Sequence, residues 1–115
     1  MKILVCGGRD YNDYDRLEDE LNTLWRVYGD FTIISGMARG ADSLAVRYAE
    51  QYNCPLEKFP ALWDVHGRAA GPIRNQQMLD EGKPDLVVAF PGGRGTAHMI
   101  KIARKADVEV QEIEN

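Results

Sequence analysis

Only two cysteines occur among the 115 residues, Cys6 and Cys54. They stand far apart with no Cys-x-x-Cys spacing, so neither a disulfide framework nor a thiolate metal site is indicated. Both are expected to be reduced thiols of the core. No apolar run approaches membrane-span length, which argues against a transmembrane helix. The opening stretch from Met1 to Gly8 is too short for the core of a secretion signal and runs directly into patterned sequence, so a cytoplasmic location is expected. An excess of positive charge is also missing: 14 Lys and Arg face 18 Asp and Glu, for a net charge of -4. The whole-molecule field would repel a polyanion, which argues against nucleic acid as a partner, and any bound anion must be held locally.

Several familiar sites are absent as well. No G-x-G-x-x-G follows the first apolar run, and the second ends in Ile34-Ser35 with no acidic residue, so a typical dinucleotide fingerprint is missing. No G-x-x-x-x-G-K-[ST] exists, which removes Walker-type ATP hydrolysis. Ser35 lacks the G-x-S-x-G elbow, and His66 and His98 have no metal-ligand spacing. Neither a resident cofactor nor a metal is expected.

What is there reads as one globular domain over residues 1–115, with a hydrophobic share of 44% and a charged share of 28%. There is no repeat, low-complexity tract or linker. Short apolar runs alternate with amphipathic stretches. The strands predicted are Lys2 to Cys6, Phe31 to Ile34, Leu56 to Phe59, Asp85 to Phe90 and Val108 to Ile113. Leu17, Leu21, Leu24, Trp25 and Tyr28 recur at helical spacing, as do Leu44, Ala45, Tyr48, Ala49 and Tyr52. A third helix is expected from Pro72 to a stop at Gly82, and a fourth from Thr96 through Ala103. The acidic end, Glu109 to Asn115, is expected to fray. Strict alternation predicts an α/β, doubly wound domain: a five-stranded parallel sheet of order 3-2-1-4-5 with helices on both faces.

Ligands of such sheets bind at the carboxyl ends of the strands, where strand order reverses. The loops there are Gly7 to Asp13, Ser35 to Asp42, Pro60 to Asn75 and Pro91 to Thr96. They hold 9 of the 11 glycines, and 5 of the 9 arginines (Arg9, Arg39, Arg68, Arg74 and Arg94), but none of the 5 lysines. Arginine without lysine suits forked contact with phosphate or carboxylate oxygens. Each residue alone has a blander reading, as turn punctuation or solubiliser; the joint distribution favours an anion site. In Pro91-Gly92-Gly93-Arg94-Gly95-Thr96 the glycines allow close approach and the following helix offers unpaired N–H groups, which together make a phosphate cradle. Thr96 is expected as the N-cap, a role compatible with bonding a phosphate. Asp42 is read as a helix cap or as an acceptor for a ribose hydroxyl. Trp63 and His66 lie in the longest loop, placed to fold over a base; Trp63 can equally anchor that loop on the core.

Taken in order, Val5-Cys6-Gly7-Gly8-Arg9-Asp10, Ile34 to Asp42, Ala70-Gly71-Pro72-Ile73-Arg74-Asn75 and Pro91 to Thr96 resemble the SLOG superfamily of Rossmann-like proteins. Within it the chain is similar to the small YspA-like, YpsA-related branch common in bacteria and phages. The resemblance implies a nucleotide or ADP-ribose-like ligand on Gly7, Gly8, Arg9, Gly36, Arg39, Gly40, Asp42, Arg74, Asn75 and Pro91 to Thr96. It also implies a homodimer or higher homo-oligomer that closes the site. The related LOG phosphoribohydrolases end their P-G-G-x-G-T-x-x-E motif on a glutamate, and this chain has Met99 there; their companion arginine matches Arg74. Methionine cannot activate water or stabilise an oxocarbenium-like centre. Binding, sensing or sequestering of a nucleotide-derived molecule is therefore the first expectation. N-glycosidic hydrolysis using Arg74 with Asp10 or Asp42 is the alternative, and single-stranded DNA binding is a second.

Overall fold

Alternation at every second residue splits the first strand between two cores. In the computed structural model, which describes residues 1–114, β1 (Lys2–Cys6) buries Ile3 and Val5 on one face and Leu4 and Cys6 on the other. Four further strands follow: β2 (Thr32–Ser35), β3 (Leu56–Lys58), β4 (Leu86–Ala89) and β5 (Glu109–Glu112). All pair in parallel in the order β3-β2-β1-β4-β5, with Leu4 opposite Ile34 on one side and Val87 on the other. β4 is buried throughout, as expected of a central strand covered on both faces.

Helix α1 (Tyr14–Tyr28) lays Leu17, Leu21 and Leu24 on the face of Ile3, Val5 and Ile33. Asp13 caps it by accepting from the Arg16 N–H at 3.1 Å. Helix α2 (Ala41–Tyr52) adds Ala41, Ala45, Tyr48 and Ala49 to the same core. The opposite face is covered by α4 (Ala70–Gln77), its π-helical continuation Met78–Gly82, and α5 (Arg94–Lys105). Their Met78, Leu79, Met99 and Ala103 close over Leu4, Cys6, Ile34, Val87 and Ala89.

Some boundaries differ from the sequence reading. β2 is shifted one residue toward Ser35, since Phe31 packs into the core before the ladder begins. The stretch from Pro60 to Asn75 is not one loop: it holds α3 (Trp63–His66), a 3-10 turn at Gly67–Ala69 and the start of α4. Pro72 is thus the third helical residue, still within the turn where a missing N–H costs nothing. α5 begins at Arg94 rather than Thr96. The acidic end does not fray through Glu112, because β5 pairs with β4, and the Ile113 N–H reaches Ala89 O at 2.8 Å with its side chain buried. Asn115 lies outside the described residues.

Candidate ligand-binding site

At the carboxyl ends of β1, β2 and β4 the connecting loops pack directly on one another. The Gly8 N–H donates to Pro91 O at 2.9 Å, and the Ala41 N–H donates to Gly8 O at 3.1 Å. Gly40 takes φ +78 with its Cα against the Gly8 carbonyl, where a side chain would have no room. Gly92 is closed in likewise, by the Thr96 hydroxyl and Gly8 N. Gly93 and Gly95 are different. A Cβ at either would meet nothing within 4 Å, and neither has positive φ, so no close contact with the described residues calls for glycine there.

These two open glycines border a cleft of about 550 Å³ over the point where strand order reverses between β1 and β4. The loop after β1 supplies Cys6, Gly7, Gly8 and Arg9, and the loop after β2 supplies Ala38 and Asp42. From α3, α4 and the π-helical turn come Trp63, Gly71, Pro72, Arg74, Asn75 and Met78; from the loop after β4 and α5 come Gly93 to Thr96, His98 and Met99. The first bond of α5 is from the Ala97 N–H to Gly93 O at 3.0 Å, which leaves the Arg94, Gly95 and Thr96 N–H groups without intrahelical acceptors. Three guanidiniums and one carboxylate therefore line a cleft on a molecule of net charge -4.

Arg74 is half-buried on the cleft wall, donating from Nε to Asn75 Oδ1 at 3.1 Å and from its terminal nitrogen to the Gly36 carbonyl. Burial lowers its pKa, opposed mainly by the charge of Asp42. Asp42 is only 7% exposed. Burial pushes its carboxyl up to about 6, while the Ala38 N–H and then Arg74 and Arg9 pull it down. Asp42 does not cap α2, contrary to the first of its two sequence readings: Gly40 occupies the N-cap position, and Asp42 Oδ2 instead accepts from the Ala38 N–H at 3.1 Å. Asp42 thereby fixes the loop that precedes its own helix. Thr96 is likewise not the cap expected. Gly93 takes that position, and Thr96 sits inside the first turn with its side chain buried behind Gly92. Trp63 is 48% exposed and contributes nothing to either core cluster, so it does not anchor α3. Its ring stands at the rim, 5.4 Å from the Arg9 guanidinium.

Not every residue expected at the site lines the cleft. Gly36 lies beneath Arg74, Gly40 is used in loop packing, and Pro91 and Gly92 border a shallower hollow of about 410 Å³ beside Glu112. Arg39 and Asp10 face each other at 3.6 Å in solvent, Asp10 with 98% of its side chain exposed. His66 is exposed on α3, away from the lining. Conversely Cys6, Met78 and His98 were not foreseen. His98 was detectable in principle, four residues after Arg94 and so on the same face of α5. The Cys6 thiol is buried and its pKa pushed well up, first by burial and then by Asp42, which makes it a wall rather than a nucleophile.

A second cleft, also about 550 Å³, opens at the amino ends of β2 and β3 between Trp25, Phe31, Tyr48 and Tyr52. Size does not separate the two; chemistry does. Its aromatic polar groups are already paired, Trp25 Nε1 with Asp30 at 3.1 Å and the Tyr48 hydroxyl with Asn22 at 2.8 Å. Among the described residues that line it, none belongs to the first turn of a helix. Among the described residues no group of three or more His, Cys, Asp or Glu is placed to hold a metal ion, and no helix is long and apolar enough to cross a membrane.

Residues 1–66 match the family model described as "YspA, cpYpsA-related SLOG family". That match spans β1 through α3, including the loops that present Gly7, Gly8, Arg9 and Asp42. The Gene 61 protein of Mycobacterium phage D29 is 38% identical over 120 residues, covering 95% of this chain and 93% of that protein.

Proposed function

The chain belongs to the YspA, cpYpsA-related SLOG family, and from that premise we propose that it binds a nucleotide-derived small molecule, a nucleoside phosphate or ADP-ribose-like compound, in the cleft over β1 and β4. One observation carries this reading. Gly93 and Gly95 are glycines with open space at Cβ, and they flank free N–H groups at the start of a 12-residue helix. A phosphate there takes the N–H groups of Arg94, Gly95 and Thr96 and the helix dipole. The Arg94 and Arg9 guanidiniums add charge-assisted contacts. Trp63, exposed at the rim, offers a flat face for a base. Leu62, Trp63, Val65 and Ile73, on and next to α3 and in α4, are apolar and exposed, and Trp63 among them borders the cleft, which supports a second copy of the chain closing the open side. Sedimentation at tens of micromolar, on the order of ordinary assay concentrations, should give a dimer; a lone 12.9 kDa species would count against closure by a second copy.

Calorimetric titration tests the ligand. AMP and ADP-ribose should bind, and adenosine, which lacks the phosphate, should bind at least tenfold more weakly, since it forgoes the charge-assisted bonds. Equal affinity for adenosine, or no binding of either phosphate compound at millimolar concentration, would sink the proposal. A salt series with a single-stranded oligonucleotide runs beside it; tight, strongly salt-dependent binding would favour the DNA reading instead.

One feature favours hydrolysis as a second reading. Asp42 is a cleft carboxyl raised to about 6, able to exchange a proton near neutral pH, whereas Asp10 is out in solvent. Chromatography for free base released from nucleoside monophosphates, comparing the parent with Asp42→Asn, distinguishes binding from turnover.

A further inference from the structure

We propose that Asn75 fixes His98 as a hydrogen-bond donor at Nε2, and that His98 is a specificity-determining contact to a neutral acceptor on the sugar or base of the bound molecule. Asn75 is 5% exposed and reaches from α4 to α5. Two of its partners dictate which way its amide points. Arg74 Nε can only donate, so the atom facing it at 3.1 Å is Oδ1. The Gly95 carbonyl can only accept, so the atom facing it at 3.3 Å is Nδ2. That same Nδ2 lies 3.1 Å from His98 Nδ1, which must therefore accept. The proton of the ring is left on Nε2.

Among the described residues Nε2 has no hydrogen-bond partner, yet it is not sealed in. The only buried side-chain nitrogen or oxygen without a partner, among the described residues, is the Tyr11 hydroxyl. The His98 ring lines the cleft, so its donor is open to whatever the cleft holds. His98 follows Arg94 by four residues, which sets it about 6 Å farther along the helix axis on the same face. An anion at the N-terminus of α5 thus leaves His98 beside the part of the ligand beyond the phosphate. There an uncharged N–H donor suits a sugar oxygen or a base acceptor. Arg74, Asn75 and His98 form one chain of bonds across the cleft wall, so the ring is held before any ligand arrives.

The tautomer stands on its own, whereas the contact to sugar or base rests on the nucleotide reading of the cleft, and the experiment separates them. Long-range nitrogen-proton spectra of the ligand-free protein, with His66→Gln to assign the second ring, should show His98 protonated at Nε2 and bare at Nδ1. Asn75→Asp, which replaces the amide donor by an acceptor, should move the proton to Nδ1. A proton on Nδ1 in the parent overturns the assignment, whatever the variants do. For the contact, His98→Leu should weaken AMP about tenfold. His98→Gln, which keeps an N–H, should recover most of the loss, and inorganic phosphate should bind all three alike. His98→Leu binding AMP as tightly as the parent overturns the contact. No AMP binding by the parent would overturn the nucleotide reading and the contact with it, leaving the tautomer to be decided by the spectra.

Discussion

Replacing Asp42 by asparagine should make the protein more stable at pH 8 and leave it unchanged at pH 4. The carboxyl is 7% exposed, and burial raises it from 3.8 to about 6. The folded protein therefore holds the Asp42 proton more tightly than the unfolded chain does. Stability from this group is fully present below pH about 4, declines as pH rises through the interval, and is gone above about 6. At about 1.4 kcal/mol per pH unit the cost of ionised Asp42 at pH 8 is about 3 kcal/mol. Asparagine keeps an oxygen to accept from the Ala38 N–H and carries no charge at any pH. Its amide nitrogen needs a partner that the carboxyl did not, so about 3 kcal/mol is a ceiling. For a domain of this length that ceiling corresponds to a rise in Tm of roughly 10 °C. Thermal melts of parent and Asp42→Asn at half-unit steps from pH 4 to 8 measure the difference directly, and the other carboxylates cancel in the comparison. A difference that does not vary with pH, or a variant that melts below the parent at pH 8, would refute the assignment of a burial-strained carboxyl.

The loop glycines should divide by role. Gly92→Ala drives a methyl into the Thr96 hydroxyl and Gly8 N, and should cost about 1–3 kcal/mol in urea denaturation. Gly95→Ala meets nothing and lies in helix, so it should hold or raise stability by up to about 1 kcal/mol while weakening AMP in calorimetry. The arginines should divide too: Arg74→Ala removes bonds to Gly36 and Asn75 and should lower Tm without ligand, with about 1.5–3 kcal/mol lost. Arg94, exposed and with no side-chain hydrogen bond or ion pair among the described residues, should lose affinity alone on substitution by alanine, and lysine should restore it only in part. Tyr11→Phe removes a buried hydroxyl that has no partner among the described residues and keeps the ring packed on Phe90, so its Tm should equal or exceed the parent's.

Much of the architecture was legible because it follows from short-range rules. Ile3, Leu4, Val5 and Cys6 alternate between faces by strand geometry alone, and Leu17, Leu21 and Leu24 mark one side of a helix wherever that helix is placed. Five alternating units with right-handed crossovers leave few strand orders, and the loops at the carboxyl edge could be named in advance. The helix starts were less legible. Thr96 and Asp42 have cap chemistry, but Gly93 and Gly40 already occupy those positions, because the loops must bend where they pass close to Gly8 and Pro91. α3 has four residues and no buried side chain, too little periodicity to register. The division of labour within the site belonged to the tertiary structure alone. Nothing local distinguishes Gly92, pressed against Gly8 across the sheet, from Gly93, where an added Cβ would meet nothing within 4 Å. Nor does it pair Asn75 with His98, 23 positions later, or bury Asp42 near Arg74. Backbone preference and periodicity act over a few residues and were readable from the chain; close approach, burial and charge at the cleft depend on where distant segments meet, which only folding decides.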